Sequence, residues 1–326
     1  MVQNKIKIGF IGAGAIGSLF GGYLAEVEST EVIFFCRKEH ANMVNLEGLK
    51  INQKGFIRII QNIKAFKNLD DYLFSLKKKK SVFDYLFLTT KTYDIEKAMS
   101  MYKKIIDDAR WLIILQNGIG NEEVVKKLFK RDNLIRIITS HGASLEKPGY
   151  VCHIGFGFTY IGAPFLGHKQ IYEEETKSDI NLIVNLIKLS GIEILLVHNI
   201  IAKSWGKAFV NIGINALGTL TRLKNGQLLE FEALKKLMSK VVKEALKVAE
   251  LINIDLDKKD YIELTYQVAK ETYNNKNSML QDILKGRKTE IDFLNGRIVK
   301  YAKELGIEVP INEILTILIK SLEGSY

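Results

Sequence analysis

Lys207, Asn211 and Asn215 recur at i, i+4 and i+8, so on a helix they stack along one face. They stand among Ala208, Phe209, Val210, Ile212 and Ile214, where polar side chains are costly unless something partners them. A stripe of one ammonium and two carboxamides facing a ligand explains this spacing; a helix face that merely meets water is the competing reading. A second chemical signal lies near the start. Gly12-Ala13-Gly14-Ala15-Ile16-Gly17 is a G-x-G-x-x-G that begins where the apolar run Ile6, Ile8, Phe10, Ile11 ends. Strand, glycine turn and helix in that order suit the cradling of a pyrophosphate, a glycine turn that binds nothing being the competing reading. Gly12 permits the tight turn, Gly14 lets the backbone approach the phosphates, and Gly17 lets the helix pack on the strand while its first N–H groups face the anion.

Both signals need elements to hold them. Thr30 to Arg37 reads as a second strand, rich in Val, Ile and Phe and ending at Arg37-Lys38. An acidic residue there would bind the adenosine ribose and favour NAD, whereas arginine accommodates a 2′-phosphate, so the ending points to NADP; two surface cations are the bland alternative. Residues 49 to 65 suggest an antiparallel excursion around Gly55. Phe83 to Lys91 and Trp111 to Gly118 repeat the buried-strand design and place Lys91 and Asn117 at carboxyl ends, where open parallel sheets bind ligands. Asn117 before Gly118 also suits a plain turn. Leu134 to Ser140 is a further strand, and His141 beyond it fits a structural role as well as a ligand's. His153 to Gly162 reads as hairpin material, Asp179 to Ser190 as an amphipathic helix, and Ile192 to Val197 as a strand closing the first domain's sheet.

From His198 the character changes. Helical periodicity runs over Ile201 to Leu220, Leu228 to Ile252, Lys258 to Tyr273, Leu294 to Leu305 and Ile311 to Gly324. We therefore expect an α/β dinucleotide-binding domain over 1–197 and an all-helical domain over 198–326. Within the second, Ser278 reads as a helix N-cap and Thr289-Glu290-Ile291-Asp292 leads a later helix, both explicable by capping alone.

The totals bound the function. A chain of 326 residues exceeds one usual core, and 47% hydrophobic with 26% charged residues fits a folded enzyme. No run of 18 apolar residues and no leader pattern occurs, so a cytoplasmic protein without a membrane partner is expected. Two cysteines, Cys36 and Cys152, suggest no disulfide framework, and the five histidines lack metal-ligand spacing, so no metal is expected. The net charge of +10 is spread along the chain; its one dense run, Lys77 to Lys80, reads as a solvated loop. That distribution argues against a nucleic-acid partner and for small acidic ligands. Nothing in the sequence excludes a homodimer.

Taken together, Gly12 to Gly17, Arg37, Thr90-Lys91, Gln116-Asn117-Gly118, Trp205-Gly206-Lys207 with Asn211 and Asn215, Asn225-Gly226, Ser278-Met279-Leu280-Gln281-Asp282 and Thr289-Glu290-Ile291-Asp292 resemble the ketopantoate reductase family from end to end. The resemblance implies a Rossmann-like N-terminal domain, a helical C-terminal domain and an active site in the cleft between them. It implies NADPH-dependent reduction of a small 2-keto acid, 2-dehydropantoate, to (R)-pantoate in pantothenate and coenzyme A biosynthesis. It implies Lys207 as proton donor, and Asn117, Asn211, Asn215, Asn225 and Ser278 as substrate ligands. Lys91, Asn117, Ala143 and Glu290 would contact NADPH or complete the reaction centre beside the loop of Gly12, Ala13, Gly14, Ala15, Ile16 and Gly17. One departure is Ala216-Leu217-Gly218, where many members carry Pro-Leu-Thr, a change that bears on helix bend and pocket shape. Two other readings stay open: a reductase of another branched 2-keto acid, and a non-catalytic NADP-sensing module.

Overall fold

The computed structural model describes residues 5–77, 82–167 and 173–325. His168 and all of the Lys77 to Lys80 run but its first lysine lie outside the described residues. The chain forms two units: Met1–Gln116 with Asn121–Ile200, and Asn117–Gly120 with Ile201–Tyr326.

The first unit begins with β1 (Ile6–Ile11), α1 (Ala15–Ala25), β2 (Thr30–Phe35) and α2 (Lys38–Glu47). β3 (Leu49–Gln53), β4 (Phe56–Ile60), β5 (Ile63–Phe66), α3 (Leu69–Ser75) and β6 (Tyr85–Leu88) follow. Next come α4 (Ile95–Met101), α5 (Lys103–Asp108), β7 (Trp111–Ile114), α6 (Asn121–Leu128) and β8 (Leu134–Thr139). The unit closes with β9 (Gly142–Lys147), β10 (Tyr150–Gly155), β11 (Thr159–Gly162), α7 (Glu174–Leu189) and β12 (Leu195–Leu196).

Eight strands form one sheet in the order β12-β11-β8-β7-β6-β1-β2-β5, and four form another in the order β4-β3-β10-β9. From β8 to β5 the large sheet is parallel, which requires helical crossovers and explains strands as apolar as Tyr85-Leu-Phe-Leu. Helix α1 touches strands of both sheets and is buried from Gly17 to Ala25, so it has no polar face. Its Gly21 lies against Phe34 and Phe10 of the large sheet, and Gly22 against Ile51 and Leu49 of the small one.

Three expectations need correction. His153 to Gly162 is no hairpin: β10 joins β3 and β9 in the small sheet, while β11 pairs antiparallel with β8 in the large one. Alternation within one stretch cannot reveal that its strands have different partners. The edge strand proposed for Ile192 to Val197 shrinks to Leu195–Leu196, pairing with β11. The strand reaching toward Lys91 ends at Leu88, three residues earlier.

Buried histidines tie this unit together. His40 on α2 accepts from the Gly149 N–H at Nδ1 (2.9 Å), and its Nε2 lies 3.0 Å from Ser18 Oγ, which donates to the Ala13 carbonyl of the glycine loop. His141 Nδ1 meets His153 Nε2 at 2.9 Å, and His153 Nδ1 meets the Tyr23 hydroxyl at 2.8 Å. Burial pushes His40 down to about 4, and burial with the neighbouring His141 pushes His153 down to about 4. These folded values lie below the unfolded one, so stability is complete above about pH 6.5 and is lost as pH falls toward 4, by at most about 3 kcal/mol per histidine. We expect Tm to be flat above pH 7 and to fall steeply between pH 6.5 and 4, with His40→Gln flattening part of the slope. A Tm unchanged down to pH 4.5 would contradict this.

The second unit is helical: α8 (Ile200–Thr221), α9 (Glu232–Leu251), α10 (Tyr261–Glu271), α11 (Ser278–Leu284), α12 (Asn295–Leu305) and α13 (Pro310–Glu323). Gly226–Glu230 and Ile291–Phe293 are short 3₁₀ turns. Helix α9 therefore starts four residues later than its periodicity suggests. Trp205, Phe209 and Ile212 of α8 belong to one core with Met238, Val242 and Ala245 of α9, and Leu315 and Ile319 of α13. The Glu244 carboxylate accepts from the Ile311 and Asn312 N–H groups at the start of α13, at 3.0 and 2.9 Å. No described helix is long and apolar enough to cross a membrane.

Candidate active site

In the first unit the glycine loop turns β1 into α1. Gly12 has φ +89°, and its N–H and that of Ala13 both donate to the Phe35 carbonyl at 2.9 and 3.1 Å. Thr89 Oγ1 donates to the Gly12 carbonyl at 3.0 Å. Gly14 is the N-cap of α1, where no side chain caps the backbone and no acid occupies the first turn. A Cβ placed on Gly14 would find its nearest atom 3.8 Å away, so the space above the helix start is open. Uncapped N–H groups beside an open, acid-free space fit the phosphates of a dinucleotide. At the end of β2, Arg37 is the N-cap of α2; it and Lys38 are exposed. Lys91 opens a 3₁₀ turn after β6 and is half-buried. Gln116, at the end of β7, donates through Nε2 to the Thr90 carbonyl at 2.7 Å. Ala143 lies on β9, opposite His153.

In the second unit three of the expected residues meet. Lys207 Nζ donates to Asn117 Oδ1 at 2.6 Å, and Asn117 Nδ2 lies 3.5 Å from Glu290 Oε2. Lys207 comes from the middle of α8, Glu290 from the residue before the 3₁₀ turn, and Asn117 from the loop after β7. Glu290 is 8% exposed. Such a carboxylate and ammonium, bridged by a carboxamide, place a proton donor where charge can be stabilised. Asn211, one turn along α8, is half-buried, and Asn215 beyond it is 3% exposed, so the stripe is not a solvated face.

The remaining two sit differently. Asn225 Nδ2 donates to Thr272 Oγ1 at 2.9 Å, while its Oδ1 is buried without a hydrogen-bond partner. Ser278 is exposed at the first residue of α11, and it is not the N-cap. That part is played by Asn277, whose Oδ1 accepts from the Leu280 N–H at 2.9 Å. Serine and asparagine cap equally well, so the helix start slipped by one residue in the sequence reading. The Asn277 Nδ2 is buried without a partner and sits where a Gly218 side chain would be, 2.6 Å from its Cβ position. The family departure at Gly218 thus makes room for Asn277.

Sequence reasoning missed what holds Asn117. Ile119 is fully buried in the helical core, and its N–H donates to the Phe293 carbonyl at 3.1 Å. The one signal was an apolar residue set between Gly118 and Gly120.

Comparison with known proteins follows the same outline. Residues 8–164 match the family model "Ketopantoate reductase PanE/ApbA", and residues 199–323 match its C-terminal companion. The chain is 38% identical over 319 residues to 2-dehydropantoate 2-reductase of Pyrococcus horikoshii, covering 98% of each chain. Among solved structures it is similar to a PanE/ApbA family ketopantoate reductase from Ralstonia eutropha JMP134, with 25% identity, TM-score 0.85 and coverage of 98% and 99% of the two chains. It is also similar to D-mandelate dehydrogenase in complex with NADH and anilino(oxo)acetate, with 27% identity, TM-score 0.83 and the same coverage.

Proposed function

Because the chain belongs to the ketopantoate reductase family, we propose that it catalyses the NADPH-dependent reduction of 2-dehydropantoate to (R)-pantoate. What carries the reading is the meeting of Lys207, Asn117 and Glu290 in a chain of that family. NADPH, when bound, supplies the hydride for the C2 carbonyl. Gly12 to Gly17 would hold its pyrophosphate and Arg37 its 2′-phosphate, while Lys91, Asn117, Ala143 and Glu290 would contact the nucleotide or complete the reaction centre. Lys207 stabilises the alkoxide as it forms and protonates it, with its ammonium aimed by Asn117 Oδ1. Asn211, Asn215, Asn225 and Ser278 fix the substrate carboxylate and hydroxyl, so that one carbonyl face is presented.

A second reading, reduction of a different branched 2-keto acid, is favoured by the likeness to D-mandelate dehydrogenase. Initial rates followed at 340 nm separate the two. Ketopantoate should be turned over far faster than 2-ketoisovalerate or benzoylformate, and the reverse order would transfer the activity to the second reading.

The cofactor assignment makes its own prediction. Arg37→Ala should weaken NADPH binding about tenfold, about 1.4 kcal/mol, and leave NADH nearly unaffected, since only NADPH carries the 2′-phosphate. Equal losses for both nucleotides would remove Arg37 from the phosphate site.

A further inference from the structure

We propose that Ile119, with Ser204 and the Phe293 carbonyl, is a positioning device that fixes the Asn117 amide and thereby the direction of Lys207; the inference rests on Lys207 acting as the proton donor. Every residue between Asn117 and the end of its loop is pinned to the helical unit. Gly118 has φ +84°, and a Cβ there would stand 2.7 Å from the Phe293 carbonyl oxygen. Its own carbonyl accepts from Ser204 Oγ on α8 at 3.5 Å. Ile119 is sunk into the core and hydrogen-bonded to Phe293. Gly120 has φ +75°, with the Tyr301 hydroxyl 2.8 Å and the Arg297 guanidinium carbon 3.2 Å from its Cβ position. Two close backbone approaches around one buried apolar anchor leave the loop little freedom to shift.

The anchor matters because a carboxamide has one donating end and one accepting end. Phe293 N–H donates to the Glu290 carbonyl at 3.0 Å, so the same 3₁₀ turn presents the Phe293 carbonyl to Ile119 and the Glu290 carboxylate to Asn117 Nδ2. With Nδ2 directed at a carboxylate, Oδ1 is left for the ammonium of Lys207, which can only donate. Glu290 thus acts on Lys207 through Asn117, and the loop anchor keeps the three in register. An acceptor on an ammonium favours its charged form, so loosening the loop should ease the proton off Lys207 at lower pH.

The test is the pH profile of kcat for Ile119→Ala, Ile119→Val and Ser204→Ala in the full-length enzyme. We expect Ile119→Ala to lower kcat about tenfold, leave the NADPH Kd within about twofold, and move the basic limb of the profile to lower pH. Ile119→Val should restore most of kcat and the position of the limb. Ser204→Ala, which removes one buried hydroxyl and leaves Ile119 packed, should shift the limb in the same direction by less, which keeps the test alive if Ile119→Ala fails to fold. Unchanged kcat in Ile119→Ala and Ser204→Ala overturns the proposal, as does a loss of kcat that follows Tm with the limb unmoved. A basic limb that survives in Lys207→Ala overturns instead the role given to Lys207, and the purpose of the anchor with it.

Discussion

Replacing Lys207 by alanine is expected to lower kcat by about 10²-fold or more while NADPH binds almost as before. Two losses act together in that variant. The alkoxide formed at C2 loses the cation beside it, and the ammonium that would hand it a proton is gone. Either effect alone is worth about two to four kcal/mol in enzymes of comparable design, and because one ammonium supplies both, they are removed as a unit. The nucleotide is expected to be indifferent, since the loop proposed to hold its phosphates belongs to the other unit. Nor should the fold suffer much: Lys207 is only half-buried, and α8 is held by Trp205, Phe209 and Ile212 on its other faces. Single-turnover rates at 340 nm, with nucleotide affinity from fluorescence titration, check the result. Near-normal turnover would end the assignment of Lys207.

Gly14→Ala should abolish most NADPH affinity, by about 10²-fold or 2.7 kcal/mol, and leave Tm within a few degrees. The contrast with Gly12→Ala carries the argument. At Gly12 the backbone has φ +89°, and a Cβ would meet the Thr90 Cγ2 at 2.5 Å and the Thr90 backbone nitrogen at 2.7 Å. That substitution is strained and crowded in the empty protein and should lower Tm. At Gly14 φ is −84° and nothing lies within 3.8 Å, so the added methyl costs the fold little. On the proposed reading it occupies the space an anion would take above the uncapped start of α1. Thermal melts and NADPH titrations of the two variants side by side distinguish a structural glycine from a ligand-facing one. Retained affinity in Gly14→Ala would place the pyrophosphate elsewhere.

How much of this was legible beforehand depended on range. The glycine loop, Arg37 after β2 and the stripe on α8 are local patterns, set by steric and periodic rules that act within a few residues, and the elements that carry them form where those rules put them. The errors came where partners are distant. β10 and β11 look alike in sequence yet join different sheets, and the capping of α11 falls on Asn277 because its neighbours decide which of two good caps is used. Asn225 gives its Nδ2 to Thr272 and keeps a buried, unpartnered Oδ1, a division of its amide that no local pattern announces.

By itself the sequence determined the architecture of each half and the glycine turn between β1 and α1, because backbone sterics and hydrophobic periodicity are properties of short stretches. Only the tertiary structure decided that Asn117 belongs with Lys207 and Glu290, residues 90 and 173 positions away along the chain. That grouping follows from the burial of Ile119 in a core assembled from helices remote in sequence, and no spacing rule encodes which core will accept a lone isoleucine.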